Sequence, residues 1–218
     1  MAATKRTRKV KRRRRTPDVV RAAALEAARN LLLRLGPESV TLPAIAKELD
    51  MTHGNITHHF GSVGALHASL VDQMADELTR NVNNAVTQLR MGETDPVKVV
   101  DALFDAFSKN GAGRLISWLA STGKLEALEP LFRTVAKIVR ELSRGAPRPG
   151  EDRELSVRQN ALALITTALG NALIGDRLHA AVGLPVGELN KLSATDLVRR
   201  AYPAAPKRRG RRSVDNLR

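Results

Sequence analysis

The chain has 218 residues, with Lys+Arg 36 against Asp+Glu 22, a formal net charge of +14 and no cysteine. The missing thiols exclude disulfides, thiolate nucleophiles and cysteine-ligated zinc, while the length suffices to bury a core without covalent staples. The charge is concentrated at the ends: residues 1–15 hold nine basic and no acidic residues, residues 204–218 hold six basic and one acidic, and the stretch between is neutral. Such a chain reads as a neutral globule with two cationic arms, suited to a polyanion, either nucleic acid or an acidic membrane surface.

From the N-terminus, Lys5–Arg15 is dense in like charge and has nothing to bury, so 1–15 reads as a disordered basic arm. It leads into Thr16-Pro17-Asp18 rather than an apolar run, which argues against a secretory signal. Thr16 as N-cap and Pro17 at the first position start a helix. Val20, Ala23, Ala24, Ala27, Leu31 and Leu35 recur along it at helical spacing, and Gly36-Pro37 ends it. Thr41 caps a short second helix, Leu42–Leu49, with Pro43 in its first turn. Asp50-Met51 forms a turn, and Thr52 caps a third short helix ending near Phe60. After Gly61-Ser62, a long fourth helix starts near Val63, with Leu66, Leu70, Met74 and Leu78 four apart, and ends about Arg90 before Gly92.

Asp95-Pro96 opens a helix through Phe107, and Leu115–Ala120 is short and apolar. Leu125–Ser143 is amphipathic, with Leu128, Leu131, Phe132, Val135, Ile138, Val139 and Leu142 expected inward. A Pro/Gly loop at Gly145–Gly150 precedes the longest apolar helix, Glu154–Val182, and a last helix spans about Val186–Arg200. The longest apolar stretch, Ala161–Ile174, contains Asn171 and is too short to span a bilayer, and Ala2 with the lack of cysteine argues against lipidation. The expectation is an all-α protein of about nine helices, with no membrane partner and a cytoplasmic location. Its expected parts are the arm 1–15, a three-helix domain 16–62, a larger helical domain 63–203, and a basic tail 204–218.

Three helices fill the first sixty residues, and a turn of a few residues joins the second to the third, so the third can enter a major groove. Ile56 and Phe60 are four apart and share a face, which with Ile45 and Leu49 can form a small core. At about 100° per residue, Gly54 and His58 then point away from that core, flanked by Asn55 and Thr57. Asn can pair bidentately with adenine, Thr can hydrogen-bond or touch a thymine methyl, and Gly54 would let the backbone come close. Thr41 and Thr52, at helix N-termini, suit phosphates. The expected DNA-binding residues are therefore Thr41, Thr52, His53, Gly54, Asn55, Thr57, His58 and His59, with Arg12, Arg13, Arg14 and Arg15 of the arm.

Thr41, Ile45-Ala46, Met51-Thr52, Gly54, Ile56 and His59-Phe60, followed by Gly61-Ser62, resemble the DNA-binding domain of the TetR family over about 18–66. Two positions depart from its pattern: the usual Tyr, a phosphate contact, is Thr57, and the usual Lys after the Ser, another, is Val63 followed by Gly64. Both losses weaken the grip on the DNA backbone, and the Lys5–Arg15 arm could compensate from the minor groove.

The resemblance implies a second domain that binds a small-molecule effector between helices. Phe104, Phe107, Trp118 and Phe132 could wall such a pocket, with a mild preference for an apolar ligand, or could be ordinary core. It also implies a homodimer through the last two long helices. The small residues Ala161, Ala163, Ala168, Gly170, Ala172 and Gly175 would permit that seam, or equally close packing within the chain.

His53, His58, His59 and His67 lack the spacing and carboxylate of a helical zinc site, so no metal and no cofactor is expected. No P-loop, nucleophile elbow or metal dyad appears, and the chain is not read as an enzyme. Two functions compete. One is a dimeric regulator, read as a repressor released from a palindromic operator by an effector. The other is a sequence-independent architectural nucleic-acid binder driven by the tails; the base-reading side chains of the third helix favour the first.

Overall fold

Among the described residues of the computed structural model, which are 16–144 and 151–201, the chain forms nine α-helices and no strand. The all-α expectation holds. Arg12–Arg15, the rest of 1–15, and the tail 204–218 lie outside the described residues.

The helices are α1 (Pro17–Leu35), α2 (Leu42–Glu48), α3 (His53–Phe60), α4 (Val63–Met91), α5 (Pro96–Ser108), α6 (Ala112–Ser121), α7 (Glu129–Arg144), α8 (Glu151–Val182) and α9 (Glu188–Ala201). Their starts follow local chemistry. Thr41 Oγ1 accepts from Ala44 N, Thr52 Oγ1 from Asn55 N and Asp95 Oδ1 from Lys98 N, at 3.2–3.3 Å. Ser62 Oγ caps α4 in the same way, accepting from Ala65 N at 3.1 Å. Thr16 stands at the N-cap of α1, but its hydroxyl makes no cap bond, and its carbonyl accepts from Val20 N instead. Gly36 ends α1 at φ 95°, a conformation that favours glycine.

The chain packs as two units. The first runs through Met74 and includes Arg114–Leu131. Its centre is apolar: Ala24, Ala28, Leu32, Ile45, Ile56, Leu66, Leu70, Leu115 and Leu119 have no exposed surface. The expected division at 62/63 therefore falls inside this unit, because the start of α4 and the whole of Leu115–Leu119 bury their apolar faces here rather than elsewhere.

His67 sits in the same interior. Its Nε2 donates to the Val40 carbonyl at 2.9 Å, and its ring meets Trp118 edge-on with centroids 5.3 Å apart. Lys124 in turn lies over the Trp118 ring. Nε2 must carry the proton in that bond, so Nδ1 is bare in the neutral ring, and it has no partner among the described residues. Burial pushes the imidazole below the ordinary histidine value, the Val40 bond opposes this, and the Lys124 charge adds to it.

The unfolded chain thus takes up a proton at His67 more readily than the folded one. Stability at this position is intact above about pH 6.5 and is lost as pH falls from there through the folded-state value. His67→Gln keeps an N–H donor but cannot titrate. Its melting temperature is expected to vary less than the parent's between about pH 7.5 and pH 5; equal variation in both proteins would remove His67 as the cause.

The second unit comprises Ala75–Gly113 and the chain from Phe132. Helices α5, α8 and α9 pack on one another, and Asn190 Nδ2 of α9 donates to Asp101 Oδ1 of α5 at 2.8 Å. Leu78 and Val82 of α4 pack with Ala106 of α5, and Ile138 of α7 leans against them. Gly113, at the start of α6, lies against both α5 and α8. A Cβ there would lie 2.7 Å from Ala172 Cβ and 2.9 Å from the Phe107 carbonyl oxygen. Gly113→Ala is therefore expected to destabilise the fold by about 1–3 kcal/mol, seen as a lower denaturant midpoint at unchanged slope.

Helix α7 departs from expectation at its first turn. Leu131 is buried and Val135, Ile138, Val139 and Leu142 are half-buried, but Phe132 is 53% exposed. Leu125–Leu128 forms a separate 3-10 turn ahead of α7 rather than part of one long helix, and Phe132 stays outside the covered face. No helix among the described residues is long and apolar enough to cross a membrane.

Candidate nucleic-acid interface

Helix α3 has eight residues and two buried side chains, Ile56 and Phe60. Burying this pair contributes roughly 3–6 kcal/mol, which is what seats so short a helix. Ile45 of α2 is fully buried in the same core, while Leu49, expected there as well, is half-buried. The turn between α2 and α3 is closed by Met51 N donating to the Ala46 carbonyl at 2.9 Å, with Asp50 at φ 51°. Asp is among the few residues that tolerate that conformation. One ion pair, Arg34–Glu48 at 2.6 Å, links α1 to α2 on the surface, where such pairs contribute little.

Opposite the buried pair, His53, Gly54, Asn55 and His58 are exposed, and Thr57 and His59 are half-buried. The structure thus brings these expected residues together on one short helix. A Cβ at Gly54 would meet nothing within 4 Å, and its φ is not positive, so the fold itself does not require a glycine there. The Thr52 and Thr41 hydroxyls accept their cap bonds through a lone pair, which leaves each O–H proton for another acceptor, such as a phosphate oxygen.

Thr57 and His59 are more engaged than spacing alone implies. The Thr57 hydroxyl donates to the His53 carbonyl at 3.0 Å and lies 3.3 Å from His53 Nε2. With its proton already used, Thr57 Oγ1 can only accept from that ring nitrogen. It retains one lone pair and no donor for a base edge. The His59 ring stands edge-on to His58 at 5.7 Å, and the His59 carbonyl accepts from Arg21 Nη1 of α1. Among the described residues, the Asn55 and His58 side chains are exposed and make no hydrogen bond within α3.

Arg21 and Ser62 were not anticipated. Arg21 lies on the line of Leu25, Ala28 and Leu32, four, seven and eleven residues on, so a cation on an apolar stripe was the available signal. For Ser62 it was the hydroxyl directly before Val63.

The four expected pocket aromatics divide between the two units. Phe104 and Phe107 of α5 are buried in the second unit, Phe132 is exposed, and Trp118 belongs to the first unit against His67. A shallow cleft of about 460 Å3 in the second unit is lined by Asn81, Asn84, Gln88, Glu93, Thr94 and Lys98, none of them aromatic.

Residues 24–69 match the family model of bacterial regulatory proteins of the tetR family, a span that takes in α2, α3 and the start of α4. The chain is thus similar to TetR-family regulators, most directly over its three-helix DNA-binding part. It is similar to the HTH-type transcriptional repressor Rv3405c of Mycobacterium tuberculosis, at 26% identity over 200 residues that cover 89% of this chain and 96% of the relative. The HTH-type transcriptional regulator Mb3439c of Mycobacterium bovis matches to the same extent. Among solved structures, the fold resembles the multidrug binding protein EbrR complexed with imidazole, with TM-score 0.61 and 19% identity, covering 87% of this chain and 97% of that one. The fold and the helix-turn-helix agree with a DNA-binding transcriptional regulator.

Proposed function

We propose that this chain is a TetR-family regulator that acts as a cytoplasmic homodimeric repressor, reads a palindromic operator with α3 and is released from it by a small-molecule effector. The observation that carries the DNA-reading half is the division of α3: Ile56 and Phe60 are buried, while Gly54, Asn55 and His58 are exposed on the far side. Asn55 and His58 are the base readers in this reading. Thr41, Thr52, His53, Thr57 and His59 line the approach to the phosphates, and Gly54 admits close contact. Two copies would meet successive major grooves about 34–36 Å apart.

Support for the dimer comes from α8, α9 and the turn between them, which leave Leu162, Leu173, Ile174, Leu178, Val186 and Leu192 exposed. The small residues of α8 divide between the two uses expected of them. Ala168 and Gly175 are buried within the chain and Ala172 faces Gly113, whereas Ala163 and Gly170 are on the exposed side. The effector would bind among the helices of the second unit, with Phe104 and Phe107 as its aromatic contacts, and would act by favouring a conformation that fits the operator poorly. Its class is left open between the apolar interior and the polar cleft beside Asn84 and Lys98. The relatives are regulators rather than enzymes, and no catalytic role is assigned.

Selection of binding sites from a random duplex pool at moderately high salt tests this reading. Full-length protein is expected to enrich a palindrome. A variant lacking residues 1–15 is expected to enrich the same palindrome with a salt slope lower by roughly 3–4, at about 0.9 per phosphate for an arm that neutralises four. An unchanged slope would remove the arm from the interface. No enrichment by either protein would leave the tail-driven, sequence-independent alternative.

A further inference from the structure

We propose that Arg21 of α1 is a positioning residue for operator reading: it fixes the roll of α3 without touching DNA. The inference rests on the DNA-reading role of α3 proposed above. Ile56 and Phe60 are the buried side chains of α3, and being four apart they lie along one line of the helix. Two points on a line set where a helix sits but leave rotation about that line poorly defined. A third point off the line is needed, and Arg21 supplies it.

Arg21 Nη1 donates to the His59 carbonyl, near the C-terminal end of α3, where carbonyls lack helical partners and the helix dipole favours a cation. Its guanidinium carbon stands 4.6 Å from the centroid of the Phe60 ring. Nη2 lies 3.3 Å from Ser69 Oγ of α4. The proton count closes: the Ser69 hydroxyl donates to the Ala65 carbonyl at 2.8 Å, so it meets Arg21 with a lone pair. One half-buried planar fork thus ties α1, the end of α3 and the first turns of α4. A lysine ammonium cannot reproduce a two-acceptor fork together with a ring stack.

A roll of α3 would swing Asn55 and His58 across the groove while leaving the net charge facing the phosphates in place. Positioning and phosphate contact therefore predict different losses. The probes are the duplex enriched by the parent protein and a scrambled duplex of the same length, each titrated at several salt concentrations. Arg21→Met is expected to weaken binding to the enriched duplex by roughly ten- to a hundredfold, the scale of one well-made base contact. Binding to the scrambled duplex and both salt slopes are expected to stay as in the parent, and Arg21→Lys is expected to recover only part of the loss. Hydrogen exchange in the free protein gives an independent readout: amides of 53–60 are expected to exchange faster in Arg21→Met, with those of 24–32 unchanged.

Equal losses on both duplexes, with a salt slope lower by about 0.9 per copy, would make Arg21 a phosphate contact and overturn the proposal. Unchanged affinity would overturn it too, as would slow exchange across α3 in the variant. If Arg21→Met does not fold, Arg21→Lys and Ser69→Ala carry the same comparison. Failure of the parent protein itself to enrich a duplex would count against DNA reading by α3, whereas the exchange result bears on the positioning role alone.

Discussion

A variant carrying Leu162→Glu and Leu173→Glu is expected to be monomeric and to bind a two-half-site duplex roughly a hundred to ten thousand times more weakly than the parent. The middle of α8, 161–175, is uncharged and carries apolar side chains around its whole circumference, and such a stretch needs cover all round. Within the chain that cover reaches one side, where Ala168, Gly175 and His179 are buried. Leu162 and Leu173 fall within about 20° of each other on the helix, on the opposite side, and are 71% and 49% exposed. In a two-fold interface each glutamate would be buried near the same patch of its partner, where desolvated like charges cost several kcal/mol. Neither leucine supports the core of its own chain, so the helical spectrum of the variant is expected to be retained. Sedimentation would decide: a parent that is already monomeric sinks the dimer, and a variant that stays dimeric moves the seam off α8.

Much of the fold could be read from residues whose effect is local. Thr41, Thr52 and the Pro that follows Asp95 act within one turn, and the helices they start are where spacing placed them. The face of α3 was legible for the same reason, since a helix of eight residues has one face to bury and Ile56 and Phe60 mark it. What spacing could not supply is which neighbour covers a face. Phe132 shares an apolar stripe with Val135 and Val139, yet it is exposed while they are half-buried, because spacing does not say where along a stripe the cover ends. Trp118 lies on a short apolar helix whose partners, His67 and Lys124, are fifty-one residues before it and six after it. The four aromatics looked alike in sequence because aromatic content says nothing of which unit each residue joins.

The polar members of the site show the same limit. Thr57 reads as a base contact from its angle on the helix, but a hydroxyl four residues after His53 can bond back to the helix, and here it does. Arg21 was hidden by the habit of reading cations as surface. Both cases are side chains that meet backbone carbonyls, an acceptor that every residue carries and that no sequence pattern marks.

Asn55→Ala is expected to leave the fold intact or slightly firmer while weakening operator binding by about 1–3 kcal/mol per half-site, or about twice that for a dimer engaged at both. The two signs differ for a structural reason. The backbone N–H of Asn55 is held by Thr52, its side chain is exposed, and alanine is the better helix former. Nothing in the protein is lost with the amide, so a loss of affinity belongs to the DNA. Thr57 has already used its donor on the helix, which leaves Asn55 as the side chain of α3 whose donor and acceptor sit side by side on one amide, as a bidentate contact with adenine requires. Repeating the duplex selection with the variant separates two kinds of contact. A base reader predicts that one position in each half-site loses its preference, with the rest of the palindrome and the salt slope retained. A uniform loss across all sequences would instead put Asn55 on the phosphates and leave His58 as the exposed reader of α3.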